Sequence, residues 1–193
     1  MTKNAEALQM HRPHRVHSHG ESELANAAAA RRAVDMALLM IRPLVSDPEI
    51  CGAGFLHVVV MKPGSSPQSH TFEEAILLEH TLGDPAHWDA DYAGFAKAKA
   101  RLSWESGLDG SVVQALYPHR LKRGDTLLTG GICLDGITVG VSGAHPWYDE
   151  AFGMAIAANL RALCKAAHAD LLKAQYTSAC DLQSTDEQAR LCA

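Results

Sequence analysis

Leu127-Leu-Thr-Gly130-Gly131-Ile-Cys-Leu-Asp135-Gly136-Ile-Thr-Val-Gly140-Val-Ser142-Gly143-Ala-His145-Pro146-Trp-Tyr148-Asp149-Glu150-Ala-Phe152 is the stretch whose reading decides the fold. Two short apolar runs, 131–134 and 137–141, flank Asp135-Gly136. An Asp-Gly pair between β-branched residues is a strong hairpin signal, because a primed two-residue turn needs positive φ, which Gly adopts without strain. The second run ends in Ser142-Gly143-Ala144. Beyond Pro146, Phe152, Ile156, Leu160, Leu163, Ala167 and Leu171 recur at helical spacing. That stripe predicts a helix from about Tyr148 to Ala174, with Asp149 and Glu150 at its positive N-terminus. The stretch is a hairpin feeding a long helix, with glycines where backbone must come close to something.

Upstream, Asp89 or Asp91 caps a predicted helix that runs to about Ser106, where Gly107 ends it. Tyr92, Phe95, Ala96, Lys99 and Leu102 mark one of its faces. Lys97, Lys99 and Arg101 read as a solvated face, except that Lys99 falls beside the apolar stripe and could point into a cleft. Ser111 to Leu116 reads as a short helix, and the basic loop His119 to Arg123 as solvated.

Nearer the N-terminus, Ser22 with Glu23 looks like a helix start, and Leu24, Ala27, Val34, Leu38, Ile41 and Val45 keep helical spacing. A helix over about 22–45 is expected, with Pro43 fraying its last turn. Phe55 to Met61 is a short β-branched run and predicts a strand. Thr71 to Thr81 fits strand or helix by periodicity; its length and the short loop before it favour a strand. His57 and His80 then read as strand residues.

Residues 1–21 carry His11, His14, His17 and His19. These read as a mobile polar arm, with metal or haem-iron ligation by His14 and His17 as the alternative, since neutral imidazole is a common metal ligand. Residues 22–175 read as a single domain and 176–193 as a polar tail.

Composition narrows the function. At 193 residues and 47% hydrophobic content the chain can bury one sizeable core. A net charge of −5 and a pI of about 6.1 argue against a nucleic-acid partner or a polybasic membrane surface. No apolar run reaches the ~18 residues of a membrane span, and no secretory signal opens the chain. Five scattered cysteines without a Cys-x-x-Cys pair favour reduced thiols and a cytoplasmic location. No P-loop, dinucleotide fingerprint, His-Glu-x-x-His or Gly-x-Ser-x-Gly motif occurs.

The segment from Tyr92 to Leu163 resembles the haem-degrading GlcG/HbpS-like family, which also includes the C-terminal domain of PduO-type corrinoid adenosyltransferases. The resemblance rests on Ala96-Lys97-Ala98-Lys99-Ala100-Arg101 on a helix and Gly130-Gly131-Ile132 before a strand. Asp135-Gly136 at the turn, Gly140-Val141-Ser142-Gly143 at the strand end, and Asp149-Glu150 opening the last helix complete it. It implies an α/β fold of profilin-like α/β/α layers, with one antiparallel sheet of about five strands. It also implies a homo-oligomer, and a small-molecule-binding protein, for haem or a related tetrapyrrole, linked to a catabolic pathway.

Two functions are expected on these grounds. In the first, Gly130, Gly131, Ser142 and Gly143 present backbone to a ligand and Lys99 supplies charge for a carboxylate or propionate. His145, His80 or the N-terminal histidines would then supply an axial ligand to haem. In the second, the protein is a lyase or isomerase acting on a small carboxylated catabolite. There Lys99 binds the carboxylate and His145, Asp149 or Tyr148 moves a proton.

Overall fold

The computed structural model describes residues 22–52 and 54–191, with side chains as far as Tyr176. His14 and His17 lie outside the described residues. Four helices and four strands run in the order α1 (Ala27–Ile41), β1 (Leu56–Met61), β2 (Ile76–Leu82), α2 (Tyr92–Ser106), α3 (Gly110–Leu116), β3 (Gly131–Leu134), β4 (Ile137–Ser142) and α4 (Pro146–Leu191). The strands form one antiparallel sheet of order β2-β1-β4-β3. The sheet therefore has four strands among the described residues, where about five were expected.

Period-two alternation splits β1 between two cores. Leu56, Val58 and Val60 join Val139, Val141, Phe152 and Leu160 beneath α1 and α4. Val59 and Met61 join Ala96, Ala100 and Trp104 beneath α2. All six residues of β1 are buried because both faces are covered, which is why the run is apolar at every position but His57. The result is an α/β/α sandwich consistent with a profilin-like fold.

The decisive hairpin forms as expected. Leu134 pairs with Ile137 across Asp135 (φ 51°) and Gly136 (φ 82°), the two positive angles of a primed turn. Helix ends depart from the sequence reading in four places. Asn26, not Ser22, caps α1 by accepting from the Ala29 amide, while the Ser22 hydroxyl accepts from Ala25 in the turn before it. Helix α1 stops at Ile41, ahead of Pro43. Helix α4 starts at Pro146, where a missing N–H costs nothing in the first turn, and its backbone stays helical to Leu191, well past Ala174.

Candidate functional site

Two glycines set the height of α2 above the sheet. Gly131 and Gly140 are register partners on β3 and β4. A Cβ at Gly131 would overlap the Lys99 carbonyl oxygen, and one at Gly140 would overlap that of Ala96. Bare backbone at both positions lets α2 lie directly on the strands, and the Ala96-x-x-Lys99-Ala100 face is buried there. Lys99 is thereby carried inward, only 4% exposed, with its stem against Gly130.

The ammonium of Lys99 donates to the Val141 carbonyl at 3.0 Å, the Ser142 hydroxyl at 3.3 Å and Asp149 Oδ2 at 2.7 Å. An ammonium has three N–H donors, so all three are engaged. Asp149, in the first turn of α4, is 1% exposed. Its Oδ1 accepts from the Ala144 amide at 3.0 Å, and the Gly143 amide also donates to this carboxylate. Burial pushes Asp149 up to about 6, against the pull of Lys99 and those two amides.

This pair lines a cleft of about 500 Å³. Ser142 and Gly143 line it too, with Tyr92, Asp89 and His145 at its more exposed parts. The Tyr92 hydroxyl donates to Asp89 Oδ1 at 2.7 Å, and its ring packs edge-on to Trp88 and tilted against Phe55. Burial and the Asp89 carboxylate push the Tyr92 phenol up to about 12. The His145 ring is exposed and stacks on Trp147 with centroids 5.4 Å apart.

The expected site residues fall into two sets. Lys99, Ser142, Gly143, His145 and Asp149 meet at the cleft. Gly130 and Gly131 instead make room for Lys99 and Asp149, and the Gly130 carbonyl accepts from Val141 within the strand framework. Tyr148 packs tilted against Phe152 at the edge of the α1/α4 core. His80 lies opposite Val58 on that same face of the sheet, with Nδ1 3.4 Å from Arg31; burial and Arg31 lower its pKa. Ser142 pairs with His57 on the other face, and His80 is not among the residues that line the cleft. No group of three His, Cys, Asp or Glu side chains among the described residues is arranged to hold a metal ion.

Two cleft residues were read only as helix furniture in the sequence. Asp91 alone caps α2, by accepting from the Gly94 amide. Asp89 is thus left for Tyr92, and the i, i+3 spacing of the two was the available signal.

No family model matches the chain. No curated protein matches it either. Among solved structures it is similar to Klebsiella pneumoniae protein ORFY, described under the family model DUF336. The TM-score is 0.42 at 15% identity, over 84% of this chain and 97% of that one. Among the described residues no helix is long and apolar enough to cross a membrane.

Proposed function

We propose that the protein binds a small polar molecule in the cleft over Lys99, Asp149 and Ser142. The observation that carries this reading is a fully satisfied ion pair buried beneath an open cleft. Burying two charges costs several kcal/mol per ion before their attraction is counted, and an apolar pair of similar size is often as stable. A chain selected for stability alone has no use for this arrangement; a chain that must offer polar groups to a ligand does. The Ser142 hydroxyl accepts from Lys99 and keeps its own proton to donate. The two-dimensional amide NMR spectrum tests the reading. A panel of small hydroxy acids, diols and amino alcohols is expected to shift the Gly143 and Ala144 amides; a spectrum unchanged by every member contradicts it.

Within this reading, proton transfer is favoured by Asp149, whose carboxyl is held near 6 and so close to the working range of a general acid or base. The lyase or isomerase alternative rests on that group, with Lys99 holding the Asp149 carboxylate in place. Lys99 does not serve there as the substrate's carboxylate partner, because its donors are already spent.

A second reading, haem, is favoured by His145. An exposed imidazole at the cleft would ligate haem iron, whereas a propionate would find no spare donor on Lys99. Bound haem would supply redox and oxygen chemistry. Titration with haemin is expected to give a shifted Soret band in wild type and none in His145→Ala. An identical shift in the variant removes His145, and no shift with wild type removes haem.

Two further parts of the proposal are self-association, which the exposed Leu171, Leu172 and Tyr176 on α4 support, and a cytoplasmic setting, which the free thiols of Cys133 and Cys164 support.

A further inference from the structure

We infer that the cleft selects a small organic ammonium over a carboxylate, and that Asp89 is the residue that sets this preference. The inference rests on the cleft being a ligand site, and it reverses the charge expected from the sequence. Lys99 and Asp149 cancel one another at 2.7 Å, and every Lys99 donor is taken inside the protein. Among the described residues no lysine or arginine donor is left in the cleft for an anionic ligand.

Among the described cleft residues Asp89 is the uncompensated charge. It is exposed, it lines the cleft, and its Oδ1 is tied to the Tyr92 hydroxyl. Among the described residues no cation is paired with it, and its Oδ2 has no recorded hydrogen-bond partner. Tyr92 is in turn held by Trp88 and Phe55, with ring centroids 5.6 and 6.0 Å away. The carboxylate is therefore oriented by a packed aromatic side chain. A charge-assisted bond from an alkylammonium to a fixed carboxylate is among the stronger polar contacts available. Tyr92, Leu128 and Pro146 supply apolar lining for the ligand's carbon stem. A carboxylate in the same place would meet Asp89 with like charge.

Three probes of one length separate the terms: 4-aminobutan-1-ol, 1,4-butanediol and 4-hydroxybutyrate share a four-carbon stem and a hydroxyl. Calorimetric titration of the full chain is expected to rank them in that order, with the amine at least about tenfold tighter than the acid. Asp89→Asn is expected to remove the amine's advantage over the diol, and Asp89→Glu to keep most of it. Asp89 is on the surface, so both variants should melt close to wild type. Tighter binding of the acid, or an Asp89→Asn protein with the wild-type ranking, overturns the inference while leaving the cleft a ligand site. Binding of none of the three overturns both.

Discussion

Asp149 is the residue on which stability and function meet. Replacing it by Asn leaves the Lys99 ammonium buried without its counter-charge, and is expected to cost about 3–5 kcal/mol in urea denaturation. Replacing both partners, Lys99→Met with Asp149→Leu, is expected to restore stability to wild type or above, because no charge is then left buried. The pH dependence follows from the direction of the shift. The folded carboxyl titrates near 6 and the unfolded one near 3.8. Between those values the folded state holds a proton that the unfolded state has lost, so this group's contribution falls as pH rises from about 4 to about 6, by up to roughly 3 kcal/mol, and is flat above. His57 and His80, whose pKa values burial lowers, slope the other way. The wild-type minus double-variant difference, measured by urea denaturation across that range, cancels them and isolates Asp149. Lys99 and Asp149 were each visible in the sequence as a cleft-facing lysine and a helix-start acid. Their pairing was not, because 50 residues separate them and no local pattern encodes the contact.

At the scale of elements, the seat of α2 is the decisive contact. Gly140→Ala puts a Cβ into the Ala96 carbonyl and the Ala100 methyl. It is expected to lift α2 and cost about 1–3 kcal/mol, the usual penalty of overpacking, as a lower melting temperature. Since α2 carries Lys99, the same variant should weaken ligand binding without touching the ligand. The β3–β4 hairpin was fully legible because its signal is local: two residues with positive φ between apolar runs. Helix α2 was legible to its end at Gly107 for the same reason, with its cap left between Asp89 and Asp91 until the structure placed it at Asp91. The end of α4 was not, because past Leu171 the apolar stripe thins while the backbone stays helical. The role of Gly131 and Gly140 depends on strand register, so in the sequence the Gly130-Gly131 pair read as a ligand-facing turn when it is the ledge on which Lys99 rests.

For the whole molecule, the sandwich accounts for the burial of β1. Helix α4 spans 46 residues, on the order of 70 Å at 1.5 Å per residue, and outruns the sheet that covers its first turns. Leu171, Leu172 and Tyr176 stand exposed beyond that cover, at 48%, 41% and 73%. Light scattering of the purified chain is expected to give a mass that is a multiple of 20.7 kDa, and a monomer would contradict the self-association part of the proposal. The three layers were expected from the family resemblance, and the individual helices and strands from sequence patterning. The chemistry of the cleft did not, because it is assembled from the β4 end, the α4 start and the loop before α2.

The central claim is that the buried pair is kept for a ligand and not for the fold. Its most direct test is to measure Lys99→Met/Asp149→Leu for stability and for the calorimetric heat of 4-aminobutan-1-ol binding. The account predicts a protein at least as stable as wild type that no longer binds the amine. A double variant that binds it as wild type does would contradict the claim.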